Sequence, residues 1–164
     1  MPLEGINRQQ YLTAKFGSKD EAQSVYKCIK DEGKKNKIYF QFDKIKITPN
    51  SFFSHKLLAY AYHKRKQTEV LELLFYKYFI EGEDIGSLDV LINLSKDANI
   101  YDEHIEKYLV SKKDNESLLN EEKQAKNIGI NSVPCFIFNK EIVVNGAQSM
   151  KNFIQIINSL NNNV

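Results

Sequence analysis

Apolar residues recur at helical spacing through most of the chain. Between Ser51 and Lys64 they fall at Leu57, Leu58 and Ala61, and between Thr68 and Ile80 at Val70, Leu71, Leu74 and Tyr78, the signature of two core helices. Asn7 can cap a shorter helix that stops at Gly17. Ser18-Lys19-Asp20-Glu21 then has the pattern of a capping box for a second helix closed by Gly33. Further helices are predicted from Ser87 to Asp97, from Tyr101 to Val110, and from Glu116 to Ile128, where Gly129 ends the run.

Two stretches depart from this period. Ile38 to Phe42 is aromatic and apolar enough for an extended segment, and Thr48-Pro49 breaks the chain after it. After Val133, the apolar run Cys135 to Phe138, the turn residues Asn139-Lys140 and the run Ile142 to Val144 before Gly146 predict a β-hairpin. A last helix from Ser149 to Leu160 puts Met150, Phe153, Ile157 and Leu160 on one stripe, with Asn161 to Asn163 as a frayed tail. The expected fold class is α/β. Residues 1–128 form a mainly helical region and 129–164 a ββα unit.

Cys135 to Phe138 does not alternate, which is the pattern of a strand buried on both faces. A two-stranded hairpin alone is marginal in water, so a further strand is expected on its open edge. Ile38 to Phe42, a segment outside this sequence, another polypeptide or a second copy of the chain are the candidates.

At 164 residues and 42% apolar content the chain suits one globular domain. Its formal net charge of +2 provides no field for a nucleic acid backbone, and the Lys34-Lys35 and Lys112-Lys113 pairs read as solvated surface. The N-terminus lacks a signal-peptide pattern and no apolar run is long enough to cross a bilayer, so no membrane partner and a cytoplasmic location are expected. Cys28 and Cys135 make neither a CxxC pair nor a zinc-ligand spacing, and the expectation is no metal and no bound cofactor.

The string Gly129-Ile130-Asn131-Ser132-Val133-Pro134, followed by the hairpin and Gly146-Ala147-Gln148, resembles DsbA-family oxidoreductases of the FrnE type. These are relatives of 2-hydroxychromene-2-carboxylate isomerases and kappa-class glutathione transferases. The resemblance extends through Pro2-Leu3-Glu4-Gly5, Tyr11-Leu12, Lys15-Phe16-Gly17, Phe42-Asp43, Thr48-Pro49-Asn50-Ser51 with His55, Tyr78-Phe79, Gly82 and Asp84-Ile85-Gly86. It implies an incomplete thioredoxin-like fold with a large helical insertion, in which the N-terminal strand and the CxxC-bearing helix are missing. The chain is then inactive in thiol–disulfide exchange unless a complementary fragment restores them.

The resemblance also implies that Val133 and a cis Pro134 border the substrate groove, holding an extended peptide or glutathione, and that Asn50 and Ser51 face the same groove. The family usually has Thr at the place of Ser51. From residue chemistry alone, Pro134 is equally a trans residue opening a strand, and Asn50 or Ser51 an N-cap after Pro49. Cys135 and Cys28 read as packed thiols, while His63 and His104 read as surface. A non-catalytic peptide- or glutathione-binding module, a truncated remnant and a homodimer are the remaining expectations.

Overall fold

The computed structural model describes residues 1–161 and falls into two compact units, Met1–Glu116 and Ser117–Val164. In the first unit a short strand β1, Ile6–Asn7, pairs antiparallel with β2, Ile47–Thr48, placing Ile6 opposite Thr48. Helix α1, Arg8–Phe16, starts where the Asn7 side chain accepts the N–H groups of Gln9 and Gln10 at 3.0 and 3.2 Å. Helix α2, Lys19–Lys35, begins at the expected Ser18 cap, but Glu21 bonds back to the Ser18 hydroxyl and not to its backbone N–H, so only half of the capping box forms. The Glu21 N–H donates to Ser18 Oγ and that hydroxyl donates to the Glu21 carboxylate, both at 3.1 Å.

Gly33 does not end α2. A Cβ at this buried position would stand 2.7 Å from the Phe40 ring and 2.8 Å from the Ile38 carbonyl oxygen, so the glycine admits Phe40 rather than stopping the helix. Ile38 to Phe42 is also not a strand. Gln41 N–H donates to the Phe79 carbonyl at 2.8 Å, and a 3-10 turn spans Phe42–Lys44. Phe40 stacks on Phe42 at 5.1 Å, and both meet Phe79 edge-on. Aromatic packing of this kind satisfies the same apolar residues that suggested a strand.

The core of the unit lies between α3, Phe52–His63, α4, Gln67–Tyr76, α5, Leu88–Asp97, and α6, Ile105–Val110. Leu57, Ala61, Val70, Leu74, Leu91, Leu94, Ile105 and Leu109 bury their side chains there, following the helical spacing of the sequence. A π-helical segment, Lys77–Glu81, prolongs α4 until Gly82 turns the chain at φ +80°. Helix α6 is shorter than expected, because 101–104 form a turn in which Asp102 Oδ1 accepts the His104 N–H at 3.0 Å.

Helix α7, Asn115–Asn127, leads into the second unit and ends at Gly129, whose φ of +84° lets the Ile130 N–H reach the Ala125 carbonyl at 3.0 Å. Strands β3, Cys135–Phe138, and β4, Ile142–Asn145, form the expected hairpin with Phe136 opposite Val144. Asn139 and Lys140 both have positive φ and Glu141 N–H donates to the Phe138 carbonyl, a type I′ turn.

Among the described residues β3 pairs with β4 alone, and its side chains are half-buried, with Ile137 43% exposed. Helix α8, Met150–Asn161, packs Phe153 against Phe136 at 4.7 Å, while Met150 and Ile157 of the expected stripe are exposed. A twelve-residue helix is about 18 Å long, more than a two-stranded ribbon can cover. Asn161, expected in the frayed tail, ends α8, and the rest of that tail, Asn162 and Asn163, lies outside the described residues.

Candidate functional site

The segment before β3 has no regular structure, and its conformation follows from its neighbours. The Val133–Pro134 peptide bond is cis, as the resemblance implies. The Pro134 carbonyl accepts the Gly146 N–H at 2.7 Å, which extends the hairpin ladder by one rung and holds the proline at the strand entrance. Val133 is 87% exposed, and its backbone N–H and C=O have no hydrogen-bond partner among the described residues. An extended chain lying alongside would find two open main-chain groups at this residue.

Asn145 holds the approach to that segment. Its side-chain amide donates to the Gly129 carbonyl at 3.1 Å and its carbonyl accepts the Asn131 N–H at 3.3 Å. Gln148 in turn donates to the Asn145 main-chain carbonyl at 3.1 Å. Sequence reading missed Asn145, and the signal was a polar residue closing the apolar run Ile142 to Val144 just before Gly146.

Asn50 and Ser51 belong to the first unit. Asn50 Oδ1 accepts the Phe52 N–H at 3.0 Å, and its amide donates to the Met1 carbonyl at 2.9 Å. Ser51 occupies the position before α3 but makes no side-chain cap bond, so capping falls to Asn50. The Ser51 hydroxyl and the His55 imidazole both stand at exposed positions. The four candidate residues thus form two pairs, one in each unit.

Neither cysteine takes part in a disulfide. Cys135 is half-buried at the start of β3. Cys28, read as a packed thiol, is exposed on α2 because Val25 and Ile29 of the same face are exposed too. Among the described residues no three metal-ligating side chains converge, and no helix is long and apolar enough to cross a membrane.

Strongly shifted titratable groups sit in the helical unit instead. Burial pushes the Tyr60 phenol up to about 12, aided by its hydrogen bond to Asp102. Hydrogen bonds from Lys64 and Tyr60 hold the Asp102 carboxyl well below the usual carboxylate range. Burial raises Tyr108 and lowers Lys56. Lys56 and Tyr60 lie on α3, Tyr108 on α6 and Asp102 in the turn before it, where they serve as structural polar contacts.

A family model described as the DSBA-like thioredoxin domain matches residues 1–158. The crystal structure of a probable DsbA oxidoreductase from Streptomyces coelicolor superposes with a TM-score of 0.77, covering 94% of this chain and 67% of that one. The two sequences are 20% identical, so the likeness is one of fold. No curated protein matches the chain.

Proposed function

Since this chain belongs to the DSBA-like thioredoxin domain family, we propose that it serves thiol–disulfide exchange as a FrnE-type member whose dithiol lies on polypeptide outside residues 1–164. The observation that carries this reading is the open backbone of Val133 beside Pro134, a place where an extended cysteine-containing peptide can add alongside the chain. Glutathione, which is itself a short extended peptide, suits the same groups. Asn50 and Ser51 are proposed as substrate contacts of the first unit, and the free thiols of Cys28 and Cys135 fit a cytoplasmic, reducing setting.

The sequence holds no CxxC pair. Exchange needs an activated thiolate that attacks a substrate disulfide and expels a substrate thiolate, and then a second thiol that resolves the mixed disulfide. Cys28 and Cys135 lie in different units and are 107 positions apart, so they are not proposed as that pair. The dithiol comes from a complementary N-terminal fragment that also adds a strand to the open edge of β3.

Insulin reduction assays test the reading. Residues 1–164 alone are expected to give no turnover, and addition of a strand–CxxC–helix–strand fragment is expected to restore it. Robust turnover by the lone chain would overturn the proposal. Peptide or glutathione titration followed by NMR is expected to shift the amides of 132, 133 and 135. Shifts there without restored turnover favour a non-catalytic binding module, and no shift there removes the groove reading.

A further inference from the structure

Arg8, at the start of α1, is a partly buried guanidinium that no carboxylate approaches within ion-pair distance among the described residues. It is held by three neutral hydroxyls. It donates through Nη1 to Thr48 Oγ1 and Tyr78 OH, both at 3.1 Å, and through Nη2 to Tyr26 OH at 2.5 Å. A desolvated cation normally finds a carboxylate or phosphate, because neutral dipoles recover only part of its lost hydration.

Arg8 lies in the wall of a cleft of about 710 Å³ in the first unit, between α1, one face of α2 and the 42–46 segment. Lys19, Lys27, Lys30 and Lys46 also line it. Asp43 is engaged by Lys30 at 2.7 Å, Asp31 is 3.8 Å from Lys34 and Lys46 donates to the Asp43 main-chain carbonyl at 2.9 Å, which leaves Arg8, Lys19 and Lys27 without a carboxylate partner among the described residues. The α2 lysines follow at spacings of eight and three residues on one helical face and extend over about 17 Å at 1.5 Å per residue.

We propose that this cleft binds an extended acidic peptide, with one carboxylate seated on Arg8 and others along Lys19 and Lys27. The span is too long for a single small anion. Leu12 and Phe42, both half-buried, interrupt the charges with apolar surface, which suits a peptide alternating acidic and apolar residues. The formal net charge of +2 provides no wider field to hold a nucleic acid beyond the cleft. The site involves no thiol and lies wholly in the first unit, so it stands apart from the exchange reaction proposed above.

Fluorescence anisotropy of a labelled twelve-residue peptide alternating Glu and Leu tests this on the full chain. Binding is expected to weaken with added NaCl and to fall roughly tenfold or more in the Lys19→Glu/Lys27→Glu variant, whose changes reverse two exposed charges. Lys107→Glu/Lys123→Glu is expected to bind as the unaltered chain does. Absence of binding, equal binding of a peptide with Gln for Glu, equal competition by inorganic phosphate, or tighter binding of a twelve-nucleotide oligothymidylate would each overturn the proposal. In the unaltered chain, NMR shifts on peptide addition are expected at Arg8, Lys27 and Lys46, and shifts confined elsewhere would also overturn it.

Discussion

The Lys56 ammonium, with no solvent exposure, donates at 2.6 Å to the backbone carbonyl of Ser111, the residue that follows α6. A second bond runs to Asn115 Oδ1 at 2.9 Å, and the Tyr108 ring lies 5.0 Å from the same nitrogen. A cation at the end of a helix meets carbonyls that have no partner within the helix, so Lys56 ties α3 to the turn after α6.

Removing that tie is expected to destabilise the first unit in a graded way. Lys56→Ala loses the bonds and leaves a void, for a loss of about 2–5 kcal/mol, whereas Lys56→Met keeps the volume and leaves only the acceptors unpaired, about 1–3 kcal/mol. Urea denaturation measures both. A Met variant as stable as the parent would show that the ammonium contributes nothing beyond its bulk.

Alkaline stability should report on Tyr60. Below pH 10 its phenol is neutral in both states. Above that the unfolded chain releases the proton, while the folded state keeps it until about 12, so the unfolded state binds fewer protons and stability falls as pH rises. The urea midpoint is expected to drop between pH 10 and 12, and to drop less in Tyr60→Phe. Asp102 acts at the other end. Its depressed folded-state value makes stability decline as pH falls below the ordinary carboxylate range, and Asp102→Asn should flatten that decline.

Gly33→Ala is expected to lower Tm although it sits in a helix, where alanine ordinarily gains about 1 kcal/mol over glycine. The new methyl would meet the Phe40 ring at 2.7 Å and the Ile38 carbonyl at 2.8 Å, and the carbonyl is backbone that cannot swing aside. The net loss expected is about 1–3 kcal/mol, read by thermal denaturation followed by circular dichroism. A rise in Tm would mean that Phe40 does not pack against α2.

Lys140→Gly should stabilise the hairpin. Lys140 adopts φ +64° in a type I′ turn, where glycine carries no steric cost, and Asn139 before it already suits the turn. Relief of about 1–2 kcal/mol of left-handed strain outweighs the roughly 0.4–1 kcal/mol cost of glycine's extra freedom in the unfolded chain, for a net gain of under about 1 kcal/mol. Slower amide exchange at 136, 138, 142 and 144 is the measurement, and faster exchange would contradict the turn assignment.

Much of this architecture was legible from local pattern. Asn7, Ser18 and Gly129 mark helix ends through bonds that form within a few residues, and Leu57, Ala61, Val70 and Leu74 reveal buried faces because helical period is a local property. Asn139-Lys140 likewise announces its hairpin. Val133 and Pro134 were found by resemblance, and only the fold showed the main-chain groups of Val133 to be open.

Tertiary packing decided the rest. Whether Gly33 stops a helix depends on Phe40, and whether Ile38 to Phe42 forms a strand depends on Phe79, nearly forty positions further on. Lys56 looks like any surface lysine until Ser111 and Asn115 close over it, and Arg8 gains its ring of hydroxyls from positions 26, 48 and 78. The sequence by itself determined which segments coil, turn and carry apolar faces. Contacts between distant residues, whose energies local periodicity does not encode, determined which polar side chains are buried and where a ligand finds open hydrogen-bonding groups.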